Sequence, residues 1–196
     1  MAADSLGRKI RAVLDEPETG PTLRRFFVNT MFDSTFVILG ILIASAFSSD
    51  PSLRTVIVTI VTSSVALGIS TGISVFEAET MEQSIKMREM ERAMLTSLED
   101  THLHSISKLT ILLVAVVNFF APIISGIITL TPFLVVGERD IQLAAFVSLG
   151  LAISILFVVG AAMGRAGNRN PVVQGARMAV AGLGAFLLCF FIESML

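Results

Sequence analysis

The sequence predicts an all-α polytopic membrane protein with five transmembrane helices, and three observations carry that expectation. Hydrophobic residues make up 54% of the 196 and charged residues only 15%, well outside the balance of a soluble domain. Five stretches, about 26–47, 53–76, 109–136, 141–163 and 172–192, are each long enough to cross a hydrocarbon core of about 30 Å as helix, which takes roughly 20 residues. The period-2 alternation of a barrel strand is missing, so helices are left as the structure that satisfies its own backbone in lipid.

Residues 1–25 are polar, with no apolar core of a cleavable signal peptide. Leu6, Ile10, Val13 and Leu14 fall at helical spacing among Arg8, Lys9 and Arg11, a pattern for a short amphipathic helix on the membrane surface that Pro17, Gly20 and Pro21 would end. The basic residues orient the chain. Arg8, Lys9, Arg11, Arg24, Arg25, Lys86, Arg88, Arg92, Lys108, Arg165, Arg169 and Arg177 all fall on the side of the N-terminus, and of the 14 Lys and Arg only Arg54 and Arg139 fall opposite. The positive-inside rule therefore puts the N-terminus in the cytoplasm and the C-terminus across the membrane.

The first and second spans occupy 26–76. Asp33 lies seven residues into the first, roughly 10 Å along the helix at 1.5 Å per residue. With no Lys or Arg inside that span, its carboxyl has to be protonated, paired with another helix, or turned toward water or a cation. Ionisable groups at such depth mark ion or proton pathways more often than accidents.

The second span runs without Gly or Pro into an acidic, methionine-rich segment, 77–108, expected in the cytoplasm. If one helix continues through it, Glu79 and Glu82 are i, i+3 neighbours, and Met87, Met90, Glu91 and Met94 share a face. Carboxylates near thioethers suit ferrous iron or manganese better than magnesium. Glu99, Asp100, His102 and His104 join the same site if the chain turns back there. Against metal binding stand two ordinary readings: Glu82 with Lys86 is a common i, i+4 pair, and methionine stripes pack helix interfaces.

Residues 109–196 hold spans three to five. Asn118, Pro122, Ser125, Gly126, Thr129, Thr131 and Pro132 interrupt the third, as a packing kink or a cavity wall. Gly68 with Gly72, Gly160 with Gly164, and the Gly182-Leu183-Gly184 triplet offer surfaces for close helix approach. Glu193, at the outer end, reads as solvated, and the single Cys189 excludes a disulfide framework. The connections at about 48–52 and 137–140 are too short for a receptor domain, and no nucleophile with a base partner or His lies in the spans, which argues against an enzyme.

Several segments resemble the vacuolar iron transporter family, the plant and yeast-type exporters of ferrous iron and manganese from the cytosol. "FDSTFVILG" from Phe32 is similar to the family's first-span Asn-Asp-Gly segment, and "REMERAML" from Arg88 to its Arg-Glu-Leu-Glu-Arg-Ala stretch. "FFAPIISGIITLTPFLV" from Phe119 and "GAAMGRAGNRNPVVQGARMAVAG" from Gly160 resemble its third span and its fourth-to-fifth connection. The departures are Ser34 for the glycine after the aspartate, Ser70-Thr71 for a Ser-Met pair, and "VFEAE" for Gly-Glu-Tyr, so that Glu77 or Glu79 stands for the motif's glutamate. The inner segment is also short beside the family's multi-helix metal-binding domain.

The resemblance implies a homodimer in lipid, with the ion path at the subunit interface and proton antiport. It implies Fe²⁺ or Mn²⁺ as cargo, with no resident cofactor and no nucleic-acid partner. On that reading Asp33, Glu77 and Met81 line the membrane path. Glu79, Glu82, Met87, Glu89, Met90, Glu91 and Met94 capture the ion, with Glu99, Asp100, His102 and His104 as further candidates. A membrane metal sensor or scaffold without transport and a cation channel are the alternatives.

Overall fold

The computed structural model describes residues 19–47, 51–95, 102–137 and 139–195, with only the backbone described for 102–107. Five helices follow in order: α1 Thr19–Ala46, α2 Leu53–Met94, α3 His102–Val135, α4 Ile141–Ala166 and α5 Pro171–Met195. Each contains a stretch long and apolar enough to cross a membrane. The expected amphipathic segment before Pro17 lies outside the described residues.

Two helix boundaries bear on the site. Gly20 and Pro21 lie in the opening turn of α1, where a proline forfeits only an N–H with no intrahelical partner. At the other junction α2 runs through Glu77 as one helix of 42 residues, about 63 Å at 1.5 Å per residue. Residues 53–76 suffice to cross the hydrocarbon, so the remainder projects beyond it. The helical extension expected after the second span is therefore the same helix, and α3 starts at His102 rather than at the membrane edge.

The chain forms two compact units: one joins the chain up to Phe27 with Ile69–Phe119, the other Val28–Gly68 with Phe120–Leu196. In the second, Ile38, Leu42, Ala46, Val56, Ile60, Leu130, Phe133, Ala144 and Ala145 form a buried apolar cluster. Leu39, Ala152 and Leu156 form another. Hydroxyls tie the helices within this apolar packing. Thr35 Oγ1 and Ser125 Oγ are 3.0 Å apart, and Ser148 Oγ donates to the Thr129 carbonyl at 2.6 Å. Ser125 and the Thr129 carbonyl, two of the interruptions in α3, thus serve as contacts between helices, while Thr131 bonds within its own helix. Close approach of α4 and α5 depends on glycine: a Cβ at Gly160 would lie 2.9 Å from the Gln174 carbonyl oxygen and 3.0 Å from Gly175 Cα. Phe47 meets Phe146, Phe186 and Phe190 edge to face at one end of this unit.

In the first unit, Gly72 brings α2 against Phe119 and the Ala115 carbonyl of α3. Pro122 has no N–H to give the Asn118 carbonyl; Thr71 Oγ1 donates to it instead, at 3.3 Å. Pro122 is thereby tolerated inside α3 without an orphaned acceptor.

Candidate metal path and inner acidic segment

Asp33 is exposed on α1, one turn from exposed Asn29 and Val37. Asn29 Nδ2 donates to Asp33 Oδ2 at 3.2 Å, and among the described residues no cation pairs with it. The residues buried on α1, among them Thr30, Ser34, Thr35, Ile38 and Leu42, face the other way. The carboxylate therefore sits on the outside of the single chain's span, where hydrocarbon alone would be a costly surrounding.

On α2 the buried positions run Val56, Ile60, Ser64, Gly68, Gly72, Val75 and Glu79, a stripe at steps of three and four. Glu79 continues it beyond the lipid-crossing stretch, at 4% exposure. Burial pushes its carboxyl above the ordinary 4.5, and nearby Glu82 adds to the rise. The positive charges of Arg25 and Lys86 and a hydrogen bond with Gln83 oppose it without cancelling it. Glu77, two residues earlier, points to another face and is exposed. It lies at a groove of about 480 Å³ whose walls include Ile73 and Phe76 of α2 and Val116 and Phe119 of α3.

Beyond Glu79, the expected single face of Met87, Met90, Glu91 and Met94 divides. Met87 and Glu91 are half-buried, while Met90 and Met94 are exposed. Four positions at i, i+3, i+4 and i+7 cover an arc about 100° wide, and only one edge of that arc meets the rest of the unit. Met81, Glu82 and Glu89 are also exposed. The Glu82–Lys86 pair forms at 3.9 Å. Leu95 ends the helix at φ 52°. Glu99 and Asp100 lie outside the described residues. His102 and His104 open α3, and their side chains are not among those described.

Among the described residues, no three His, Cys, Asp or Glu side chains gather closely enough to hold an ion. The structure brings Glu79, Glu82 and Gln83 together on adjacent turns, with Arg25 near Glu79. It gives Glu77 a separate, apolar setting. Sequence reasoning missed Arg25 as a partner of Glu79, although the small-residue stripe from Ser64 through Gly72 extrapolates to Glu79 and marks it as an inward position.

Five membrane-length helices, an outward carboxylate within one of them and a polar helix projecting past the lipid define an integral membrane protein built around charged groups at and inside the bilayer. Over residues 75–194 the sequence matches the model of the VIT family. The chain belongs to that family, the vacuolar iron transporters, and metal transport is the activity the family implies; its members are not enzymes. The match starts after the first span, so the likeness around Asp33 stands on the segment from Phe32 alone. An uncharacterised protein of Methanocaldococcus jannaschii is 24% identical over 177 residues, covering 89% of this chain and 90% of that protein. No solved structure gives a significant match.

Proposed function

We propose that the protein moves a divalent transition metal, Fe²⁺ or Mn²⁺, out of the cytoplasm as a homodimer, in exchange for protons. The observation that carries this reading is Asp33, an exposed carboxylate within an apolar span. A second copy covering that face would place two such carboxylates across an interface, where a passing cation would neutralise them. The exposed Glu82 and Glu89, half-buried Glu91 and buried Glu79 are the capture carboxylates, with Met87, Met90 and Met94 supplying thioether contacts. Glu77 and Met81 pass the ion onward, and Glu79, whose carboxyl burial pushes above 4.5, is suited to trading a proton for a cation.

Orientation follows from the basic residues: the N-terminus and the acidic segment in the cytoplasm, the C-terminus opposite. Flux into proteoliposomes, measured for several metals with and without a pH gradient, tests the whole reading. Saturable uptake that needs the gradient is expected. Unsaturable uptake that follows voltage would make the protein a channel, and binding without flux would make it a sensor or scaffold.

A further inference from the structure

Between Ile141 and Ile192 the chain carries no acidic residue, and its only charges are Arg165, Arg169 and Arg177. All three are exposed, and among the described residues none has an ion-pair partner. Arg165 and Arg169 lie at the α4–α5 turn, and Arg177 lies within the first two turns of α5. Arg165 lies in the last turn of α4, the Arg169 N–H donates to the Gly164 carbonyl at 2.9 Å, and a Cβ at Gly164 would sit 2.9 Å from Pro171 Cα. Asn170 Oδ1 accepts from the Val172 N–H at 3.0 Å, fixing the start of α5 at this point.

Arg177 is the informative member. It lies six residues after Pro171, about 9 Å into the helix at 1.5 Å per residue. Its neighbours on the same face, Val173 and Val180, are 56% and 66% exposed, and α5 buries only Gly175 and Gly182. This is a lipid-facing surface, and a guanidinium cannot remain among acyl chains without an anion or water. Side chains on a helix lean toward its N-terminus, which aims the long stem of Arg177 back toward the end of α5 at which the turn lies. Planar guanidiniums pair bidentately with phosphodiester oxygens.

We propose that the α4–α5 turn is a binding site for the phosphate headgroup of an anionic phospholipid, held by Arg165, Arg169 and Arg177 while the acyl chains lie on the Val173 and Val180 face of α5. The site is independent of the metal path and does not rest on the transport reading.

The test is native mass spectrometry of the full chain in detergent, titrated with phosphatidylglycerol or phosphatidylcholine. The expected result is one phosphatidylglycerol per chain, bound in preference to phosphatidylcholine. Arg165→Gln, Arg169→Gln and Arg177→Gln should each weaken it roughly fivefold, the size expected for one basic residue near an anionic headgroup. Arg139→Gln removes the same charge elsewhere and should leave binding unchanged. Arg177→Lys, which keeps the charge on a lipid-facing position, guards against misfolding as the cause and should retain most of the binding. Equal binding of the two lipids would overturn the proposal, as would an equal loss with Arg139→Gln, which would mean a diffuse field. Displacement of the lipid by millimolar inorganic phosphate would overturn it too, by making a soluble anion the ligand.

Discussion

The two ends of α2 solve different problems with one helix. From Leu53 to Gly68 it buries Val56, Ile60 and Ser64 in the second unit, and its place there is set by apolar packing. Beyond Phe76 it buries only Glu79 and otherwise presents Glu82, Glu89, Met90 and Met94 outward. Good helix formers and the Glu82–Lys86 pair hold that end helical. Packing thus fixes the backbone of the first end, leaving little freedom for chemistry. The second end keeps its polar side chains available, at the cost of tertiary support.

The strongest way to break this contrast is Asp33, an available carboxylate in the packed unit. Asp33→Asn is nearly isosteric, and Asn29 can still hydrogen-bond to it. Flux in proteoliposomes should fall by about tenfold or more, the loss expected when a charge-bearing partner goes. Thermal stability in detergent and metal binding at the inner segment should persist. Full flux would reduce Asp33 to an interfacial accident and leave the sensor reading in front.

Replacing Glu79, Glu82, Glu89 and Glu91 together by Gln keeps helix propensity. It should leave the protein folded yet lower metal affinity by at least about tenfold, as ligand charge is lost. Calorimetry with Mn²⁺ on parent and variant reads the difference; equal affinities would make these carboxylates a solvated face.

Packing is tested more directly at Gly160. Its added Cβ would press on the backbone of Gln174 and Gly175, which moves less easily than a side-chain end. Gly160→Ala should cost about 1–3 kcal/mol. Ile85→Ala, on the exposed side of α2, should stay within about 0.5 kcal/mol. Similar melting temperatures for the two would mean that the α4–α5 contact of the second unit is no more tightly packed than the projecting end of α2.

The five spans were legible because lipid forces a length and a composition on each of them, and the likeness to the vacuolar iron transporters was legible in the segments from Arg88, Phe119 and Gly160. The start of α1 was not, since Gly20 and Pro21 break helices in most positions but not in a first turn. Asp33 could be placed along its helix from sequence, but its outward face depends on which side of α1 meets the apolar cluster. Glu79 looked like one of four equivalent acids. Only packing separates it from Glu82, three residues on and about 60° round the helix, because the edge of the buried stripe falls between the two.

Glu79 supplies the smallest expected effect and the most specific one. Its carboxyl is pushed above 4.5, by burial first, so the folded chain holds that proton more tightly than the unfolded chain does. The associated stabilisation is present in full below 4.5 and is lost as pH rises through the raised folded value. Once ionised, Glu79 is a buried charge only partly offset by Arg25 and Lys86. Glu79→Gln stays neutral throughout, with an amide that can still bond to Gln83. The variant should therefore be at least as stable as the parent near pH 8, and the parent should gain on it as the pH falls toward about 5. Melting temperatures of both proteins across that range, in metal-free detergent, give the comparison. If their difference does not change with pH, Glu79 is not the protonating group at the inner end of α2, and the proton exchange proposed for it has to be sought at Asp33 or Glu77.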